Sequence, residues 1–222
     1  YFVDVLRMPL PTGSCLVVYD LGAGTFDVSA VRRTPTGFDP VCSAGLDDAG
    51  GRDLDALVVR HARSLTASAT DAWTRLDRPR TTAERLAHRA LWTGARAVKE
   101  QLSRHASADL YVPLVDVQLH LTRGEFEQAA RPLLERTIAL TVSAVHDAGL
   151  RRSVAGTVLV GGASRVPLVA TLLHQAFGHA PTVTDKPELV VAHGAVHLGP
   201  PPPGPATWNV PADPVAAGPE PA

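Results

Sequence analysis

The sequence has few cysteines, few aromatic residues and no long apolar run. Its 222 residues include two cysteines, Cys15 and Cys42, and 5% aromatic residues. The cysteines lack the spacing of a metal site, and two reduced thiols are favoured over a disulfide. No stretch approaches the roughly 18 apolar residues that a membrane helix requires, and no leader of basic and then apolar residues opens the chain. We therefore expect a cytoplasmic protein without a membrane span.

An excess of charge of one sign is also lacking. The 21 basic and 22 acidic residues give a formal net charge of −1, and charged residues make up 19% of the chain against 45% hydrophobic residues. This balance argues against nucleic acid or an anionic membrane as a partner. The composition is that of a globular protein.

Proline marks one boundary in the chain. Nine of the 19 prolines lie in residues 200–222, which predicts a Pro-rich disordered tail because such a segment cannot build a core. Residues 1–199 are predicted to form the folded part, with a helical subdomain at about 52–121 inside it. The chain opens on amphipathic residues without a methionine, so we expect that an upstream part is missing.

Hydrophobic patterning predicts an α/β fold with a mixed β-sheet flanked by helices. The expected strands span residues 15–19, 26–31 and 38–44 in a meander, then 110–112 and 115–121, and later 157–160 and 182–184. The expected helices span residues 52–105 with a break at 77–79, then 122–149, 166–177 and 188–198. Capping boxes at 81–84 and 122–125 mark two of the helix starts.

The segment from Asp20 to Asp27 predicts a phosphate loop. A carboxylate ends a buried strand, and Gly22 and Gly24 in the following turn let backbone N–H groups approach an anion. A Walker loop is excluded because no Gly-Lys-Ser/Thr tripeptide is present. A dinucleotide loop is excluded because Thr25 leads into a strand instead of a helix. An ordinary hairpin is the alternative interpretation.

A second glycine motif lies between a buried strand and a helix. Gly161 and Gly162 precede a helix start, where phosphate or sugar oxygens can be received. Arg165 is placed to lie flat against an aromatic base. Here the alternative is a strand–helix turn with a surface arginine.

Together the two motifs resemble the second phosphate loop and the adenosine loop of actin-like ATPases. In detail they resemble the seventy-kilodalton heat-shock (DnaK-type) chaperone family. Four further segments resemble that family: Gly-Gly-Arg-Asp-Leu-Asp at 50–55, Lys-Glu-Gln-Leu-Ser at 99–103, and the segments 121–127 and 187–195. The resemblance implies the second lobe of a nucleotide-binding domain, an actin-like ATPase (ribonuclease-H-like) lobe with a helical subdomain insertion, from an ATP-binding chaperone of the stress response.

The resemblance also implies cofactors, ATP or ADP with Mg²⁺, and a set of site residues. Asp20 would position Mg²⁺ through water, Asp27 would lie beside a monovalent cation such as K⁺, and Asp20, Thr25 and Asp27 would form the catalytic group. The β- and γ-phosphates would be held by Gly22, Ala23, Gly24 and Thr25. The ribose and base would be surrounded by Gly51, Lys99, Ser103, Gly161, Gly162, Arg165 and Glu188.

Several positions depart from the family pattern and leave a second function open. They are Ala23 for glycine, Arg52 and Arg96 for glutamate, Glu100 for a frequent basic residue, Ala163 for serine, and Leu189 for glutamate. The charge reversals favour a non-hydrolysing adaptor lobe that has lost nucleotide, whereas the intact phosphate loop favours a nucleotide-binding lobe. A sugar kinase of the same superfamily is disfavoured because no sugar-site segment is present.

The first phosphate loop and the catalytic residues of the first lobe are not found in this sequence. We expect Asp20, Gly24, Gly162 and Arg165 to converge on one cleft. We also expect the chain alone not to turn over ATP, because the γ-phosphate needs charge stabilisation from both sides. The implied partners are nucleotide, the missing first lobe of the same domain, and a co-chaperone or nucleotide-exchange protein.

Overall fold

The computed structural model describes residues 10–151 and 153–196. Along the chain, groups of strands are followed by groups of helices. The first half comprises β1 (Cys15–Leu21), β2 (Phe26–Arg33), β3 (Phe38–Leu46), α1 (Gly51–Leu65), α2 (Thr70–Asp77) and α3 (Thr82–Leu102). The second half comprises β4 (Ser107–Val112), β5 (Val117–Thr122), α4 (Arg123–Asp147), β6 (Val154–Val160), α5 (Pro167–Phe177) and α6 (Val190–Val196). Short 3₁₀ helices lie at Gly162–Arg165 and Pro187–Leu189. No helix in the described ranges combines the length and apolarity needed to cross a membrane.

The main sheet has four strands in the order β3-β2-β1-β6. The first three strands form an antiparallel meander, and β6 pairs with β1 in parallel. The prediction of a mixed α/β fold is therefore confirmed. Because β1 and β6 are parallel, their carboxyl ends meet at the same edge of the sheet, where ligands commonly bind in α/β proteins.

Both faces of the central strand β1 are covered, which explains its nearly continuous apolar sequence. On one face, Tyr19 is fully buried and stacks at a centroid distance of 4.6 Å on Phe26. Its hydroxyl forms a 2.6 Å hydrogen bond with Thr137 Oγ1 of α4, and burial raises the pKa of Tyr19. On the other face, Leu16 belongs to a smaller apolar cluster with Val158.

The helices α1 and α3 pack against each other, and α3 also packs against β4 of a separate β4–β5 hairpin. The contact between the two helices buries Leu54, Val58 and Leu91. A Cβ placed on Gly94 of α3 would lie 3.1 Å from Leu110 Cδ1 of β4, so a small residue allows this close approach. These elements fall within the helical subdomain predicted for residues 52–121.

Both predicted capping boxes are present. Thr81 Oγ1 accepts a hydrogen bond from the Glu84 amide at 3.2 Å, and the Glu84 carboxylate accepts from the Thr81 amide at 3.1 Å. Thr122 and Glu125 repeat the arrangement at the start of α4. Each box satisfies amide groups that have no partner within the helix.

Replacing Glu84 by glutamine should reduce stability in a pH-dependent manner. Hydrogen bonds from Arg75, Arg80 and Thr81 lower the pKa of Glu84 from 4.5 to about 2. A carboxylate with a lowered pKa stabilises the fold above its unfolded pKa and loses that effect as pH falls through its folded pKa. We expect the difference in unfolding free energy between wild type and Glu84→Gln to be largest above pH 4.5 and to vanish towards pH 2. A difference that stayed constant over this range, in urea titrations, would contradict the assignment.

Two predictions of local structure were wrong. The predicted helical stretch is interrupted at Thr66, and this break was not predicted. The Thr66 hydroxyl donates to Ala62 O and accepts from Trp73 Nε1 at the break. The expected strand at 182–184 is a single parallel bridge between Thr182 and Val158. The predicted tail at 200–222, and the last two residues of the predicted final helix, lie outside the described residues.

Candidate functional site

A cleft of about 660 Å³ opens at the carboxyl ends of β1 and β6. Its volume is in the range of small-molecule sites. Predicted site residues among its lining are Asp20, Gly22, Ala23, Gly51, Lys99, Ser103, Gly161, Gly162, Arg165 and Glu188. Asp20, Gly162 and Arg165 share the cleft as expected, but the same expectation was wrong for Gly24, which does not line it. Gly24, Thr25 and Asp27 lie in or after the adjoining β1–β2 turn.

The turn between β1 and β2 has several backbone amides that are not used in pairing within the described part of the protein. The amide of Gly22 donates to Thr25 O at 3.0 Å and closes the turn. The amides of Ala23, Gly24 and Thr25 donate to no acceptor within residues 10–151 and 153–196. Anion-binding loops hold their ligands with consecutive free amides, so this turn is the candidate anion site of the cleft edge.

This loop is fixed to the start of α1 by backbone contacts. The amides of Gly51 and Arg52 donate to the carbonyl groups of Gly22 and Ala23, at 2.9 and 2.8 Å. Among the described residues other than glycine, only Leu114 and Asp116 have a positive φ. Ala23 therefore has an ordinary backbone conformation, so the side chain that replaces the expected glycine is accommodated without strain.

Two carboxylates face each other across the antiparallel strands β1 and β2. Asp20 pairs in register with Asp27, and Thr25 Oγ1 donates to Asp27 Oδ2 at 3.3 Å. Burial, and then the charge of Asp27, raise the pKa of Asp20. Asp20 forms no ion pair with any residue that the structure describes, and a half-buried carboxylate of this kind fits a hard cation such as Mg²⁺, which prefers oxygen ligands and retains its waters. No cluster of three or more metal-ligating side chains occurs in the described ranges.

Replacing Asp27 by asparagine should lower the pKa of Asp20. The substitution removes the like charge that disfavours the ionised form, but leaves the larger effect of burial in place. We therefore expect the Asp20 pKa to fall part of the way towards its ordinary value of 3.8. Carboxyl ¹³C chemical shifts followed against pH measure this change. An unchanged Asp20 titration would mean that the two carboxylates do not interact.

The second glycine turn packs directly against Asp20. Gly161 has a φ of +80°, and a Cβ at this position would lie 2.5 Å from Asp20 Oδ1. The Gly161 carbonyl accepts a hydrogen bond from Ser164 Oγ at 2.7 Å. Glycine is required here both for the left-handed backbone and for the close approach of the two cleft walls.

Lys99 is held inside the wall of the cleft by an acidic residue that the sequence did not reveal as part of the site. Its ammonium group lies 2.6 Å from Asp55 Oδ1, and both side chains are about nine-tenths buried. It also donates to Gly51 O at 2.9 Å. Asp55 follows Gly51 by one helical turn, so this spacing was the available signal that both residues share the cleft face of α1.

Further cleft residues are paired with one another. Arg165 Nη2 donates to Glu188 Oε2 at 2.9 Å and to Asp185 O at 2.7 Å. Arg96 stands where the expected pattern has an acidic residue, and Glu100 stands where it has a basic one. Arg96 Nε lies 2.9 Å from Glu100 Oε1. The two reversals therefore compensate each other as an ion pair on the rim of the cleft.

Comparison with known proteins identifies the family. The family model described as Hsp70 protein matches residues 11–199. The chain belongs to the Hsp70 family. The resemblance deduced from the motifs is thereby confirmed, and the mixed α/β fold is the one expected of Hsp70 and its actin-like ATPase superfamily.

Three Hsp70-family relatives illustrate the relationship. The chain is 42% identical to a chaperone protein HscA homolog of Bordetella petrii over 182 residues, which are 80% of this chain and 27% of the relative. The corresponding protein of Bordetella pertussis is 40% identical over 80% of this chain and 27% of its own length. That of Methylobacillus flagellatus is 39% identical over 81% and 28%. The chain thus spans just over a quarter of the length of these relatives.

Proposed function

We propose that this chain is the second lobe of an Hsp70-type nucleotide-binding domain, which supplies the second phosphate loop and the adenosine pocket. The observation that carries the proposal is the shared cleft. It joins the loop at Gly22, the glycine turn at Gly161 and the helix residue Lys99, which are far apart in sequence. Residues 1–199 would form the lobe, with its helical subdomain at about 52–121.

The phosphate side of the proposed site rests on free amides and a carboxylate. The three unpaired amides of Ala23, Gly24 and Thr25 would donate to the β- and γ-phosphates. ATPases of this family use ATP or ADP with Mg²⁺, and Asp20 would position this ion through water. Asp27, which is exposed near the start of β2, would lie beside a monovalent cation such as K⁺.

The adenosine side would use the walls made by α3 and by the turn after β6. The Arg165 guanidinium, held by Glu188, would present its plane to the base. The aliphatic part of Lys99 and the hydroxyl of Ser103, one turn further along α3, would face the base and ribose from the opposite side. Gly51 and Gly162 would allow the sugar to approach the backbone.

Catalysis in this proposal needs a second protein surface. An in-line transfer requires stabilisation of charge on both sides of the γ-phosphate, and Asp20 and Thr25 provide one side. The first lobe of the same domain is the proposed partner that provides the other. We also predict that a co-chaperone or a nucleotide-exchange protein binds this chain and that its location is cytoplasmic.

The test is calorimetric titration of the chain with ADP and ATP in the presence of Mg²⁺. Arg165→Ala should weaken both nucleotides about equally, because they carry the same base. Arg131→Ala is the matched control: this arginine also forms an ion pair, with Glu135 at 3.4 Å, but it lies outside the cleft lining. A loss confined to ATP would refute the assignment of Arg165 to the base.

A non-hydrolysing adaptor lobe is the second candidate function. The observation that favours it is internal pairing in the predicted adenosine pocket, where Lys99 is bound by Asp55 and Arg165 by Glu188. These groups need no ligand to satisfy their charges. Absence of adenosine, ADP and ATP binding at millimolar concentration by a folded wild-type chain would favour the adaptor.

A further inference from the structure

Two arginines that line the cleft, Arg52 and Arg104, form no ion pair in the described part of the chain, and of these Arg52 is the one that lies beside the β1–β2 turn. Of the other basic residues that line the cleft, Lys99, Arg96 and Arg165 each form an ion pair. Arg52, by contrast, has no carboxylate oxygen within 4.0 Å in the described part of the chain. Its side chain is exposed to solvent at the cleft.

The position of Arg52 is next to the phosphate loop. Its backbone amide donates to Ala23 O at 2.8 Å. A Cβ built on Gly24 would lie 3.9 Å from Nη1 of Arg52, so the guanidinium reaches the loop itself. The free amides of Ala23, Gly24 and Thr25 are therefore neighbours of an unpaired positive charge.

Helix stability does not explain a cation at this position. Arg52 is the second residue of α1, where a positive charge is opposed by the helix dipole. The acid of the same turn, Asp53, accepts a hydrogen bond from the Gly50 amide at 2.8 Å and does not pair with Arg52. An anion bound at the loop would offset the cost of this charge.

We propose that Arg52 is an additional phosphate-binding residue, whose guanidinium donates to an oxygen of the outer phosphates held at the loop. The inference rests on the proposed function. In this arrangement, the preference of the site for nucleoside di- and triphosphates over nucleosides depends on the Arg52 side chain as well as on backbone amides. A planar guanidinium suits this role because it can donate two parallel hydrogen bonds to one phosphate.

The experiment compares adenosine, ADP and ATP binding by the 222-residue chain in the presence of Mg²⁺. Charge-assisted hydrogen bonds are worth enough that Arg52→Ala should weaken ADP and ATP about tenfold, with adenosine unchanged. Arg52→Lys should recover part of the loss, since it retains the charge but not the planar fork. Arg89→Ala is the matched control, because Arg89 is also exposed and unpaired in the described structure but lines only an adjoining groove.

The outcomes separate the inference from the proposed function. An equal loss for all three ligands, or no loss, would overturn the role of Arg52 while nucleotide binding stands. A loss of the same size in Arg89→Ala would also overturn it, because the effect would then be one of general charge. Failure of the wild-type chain to bind any of the three ligands would overturn the proposed function and this inference with it. Circular dichroism and thermal unfolding establish that each variant is folded.

Discussion

Replacing Gly161 by alanine should destabilise the chain by about 3 kcal/mol or more, because a left-handed backbone and a steric clash both oppose a side chain there. The φ of +80° disfavours any residue with a Cβ. The added methyl group would also meet Asp20 Oδ1 and the Leu21 carbonyl carbon at 2.5 Å. These atoms belong to the central strand, which is buried on both sides and cannot move away cheaply.

Gly162→Ala is the matched control for this prediction. The neighbouring glycine has no heavy atom within 4 Å of a built Cβ, and its φ is not in the left-handed region. Denaturant unfolding of both variants, followed by circular dichroism, should show a large loss for Gly161→Ala and a change of about 1 kcal/mol or less for Gly162→Ala. Equal losses would mean that the turn is sensitive to any substitution and that the close approach to Asp20 is not the cause.

Removing the Lys99 ammonium should cost about 3–5 kcal/mol of folding stability, the usual effect of leaving one partner of a buried ion pair alone. Lys99→Met preserves much of the side-chain volume but leaves the Asp55 carboxylate in the protein interior without its cation, at a site where both side chains are only about a tenth exposed. It also removes the donor to the Gly51 carbonyl. Chemical denaturation measures the loss.

Two further variants test whether the uncompensated charge of Asp55 causes this loss of stability. The double variant Asp55→Asn/Lys99→Met should recover a large part of the stability, because no uncompensated charge then remains. Arg96→Met removes an ion pair with Glu100 on the same helix whose side chains are 70% and 50% exposed, and should cost less than about 1 kcal/mol. A double variant no more stable than Lys99→Met would show that packing or the Gly51 hydrogen bond, and not the charge, dominates.

Local sequence signals predicted the sheet and the glycine turns, because those features depend on neighbouring residues. The meander follows from short apolar runs separated by turn residues, and the two capping boxes from a hydroxyl and a glutamate three positions apart. The glycine spacing around Gly22 and Gly161 indicated two turns that line the cleft. These signals need no knowledge of long-range packing.

Pairings between distant segments could not be predicted in this way. The burial of Lys99 against Asp55, and the bond between Arg165 and Glu188, depend on how α1, α3 and the turn after β6 are brought together. The break at Thr66 was missed because the hydrophobic repeat continues up to it, while the hydroxyl contact with Trp73 that shapes it is set by tertiary structure. The proximity of Arg52 to Gly24 likewise depends on how α1 packs against the β1–β2 turn.

The junction between the β1–β2 turn and α1 has a mechanical consequence. Both bonds that join them run between main-chain atoms, from the amides of Gly51 and Arg52 to the carbonyl groups of Gly22 and Ala23. Ordinary substitutions leave such a joint intact, and only proline at either donor position would remove a bond. Any tilt of the helix therefore pulls on the β1–β2 turn whatever side chains surround it, so the shape of this edge of the cleft and the orientation of α1 change together.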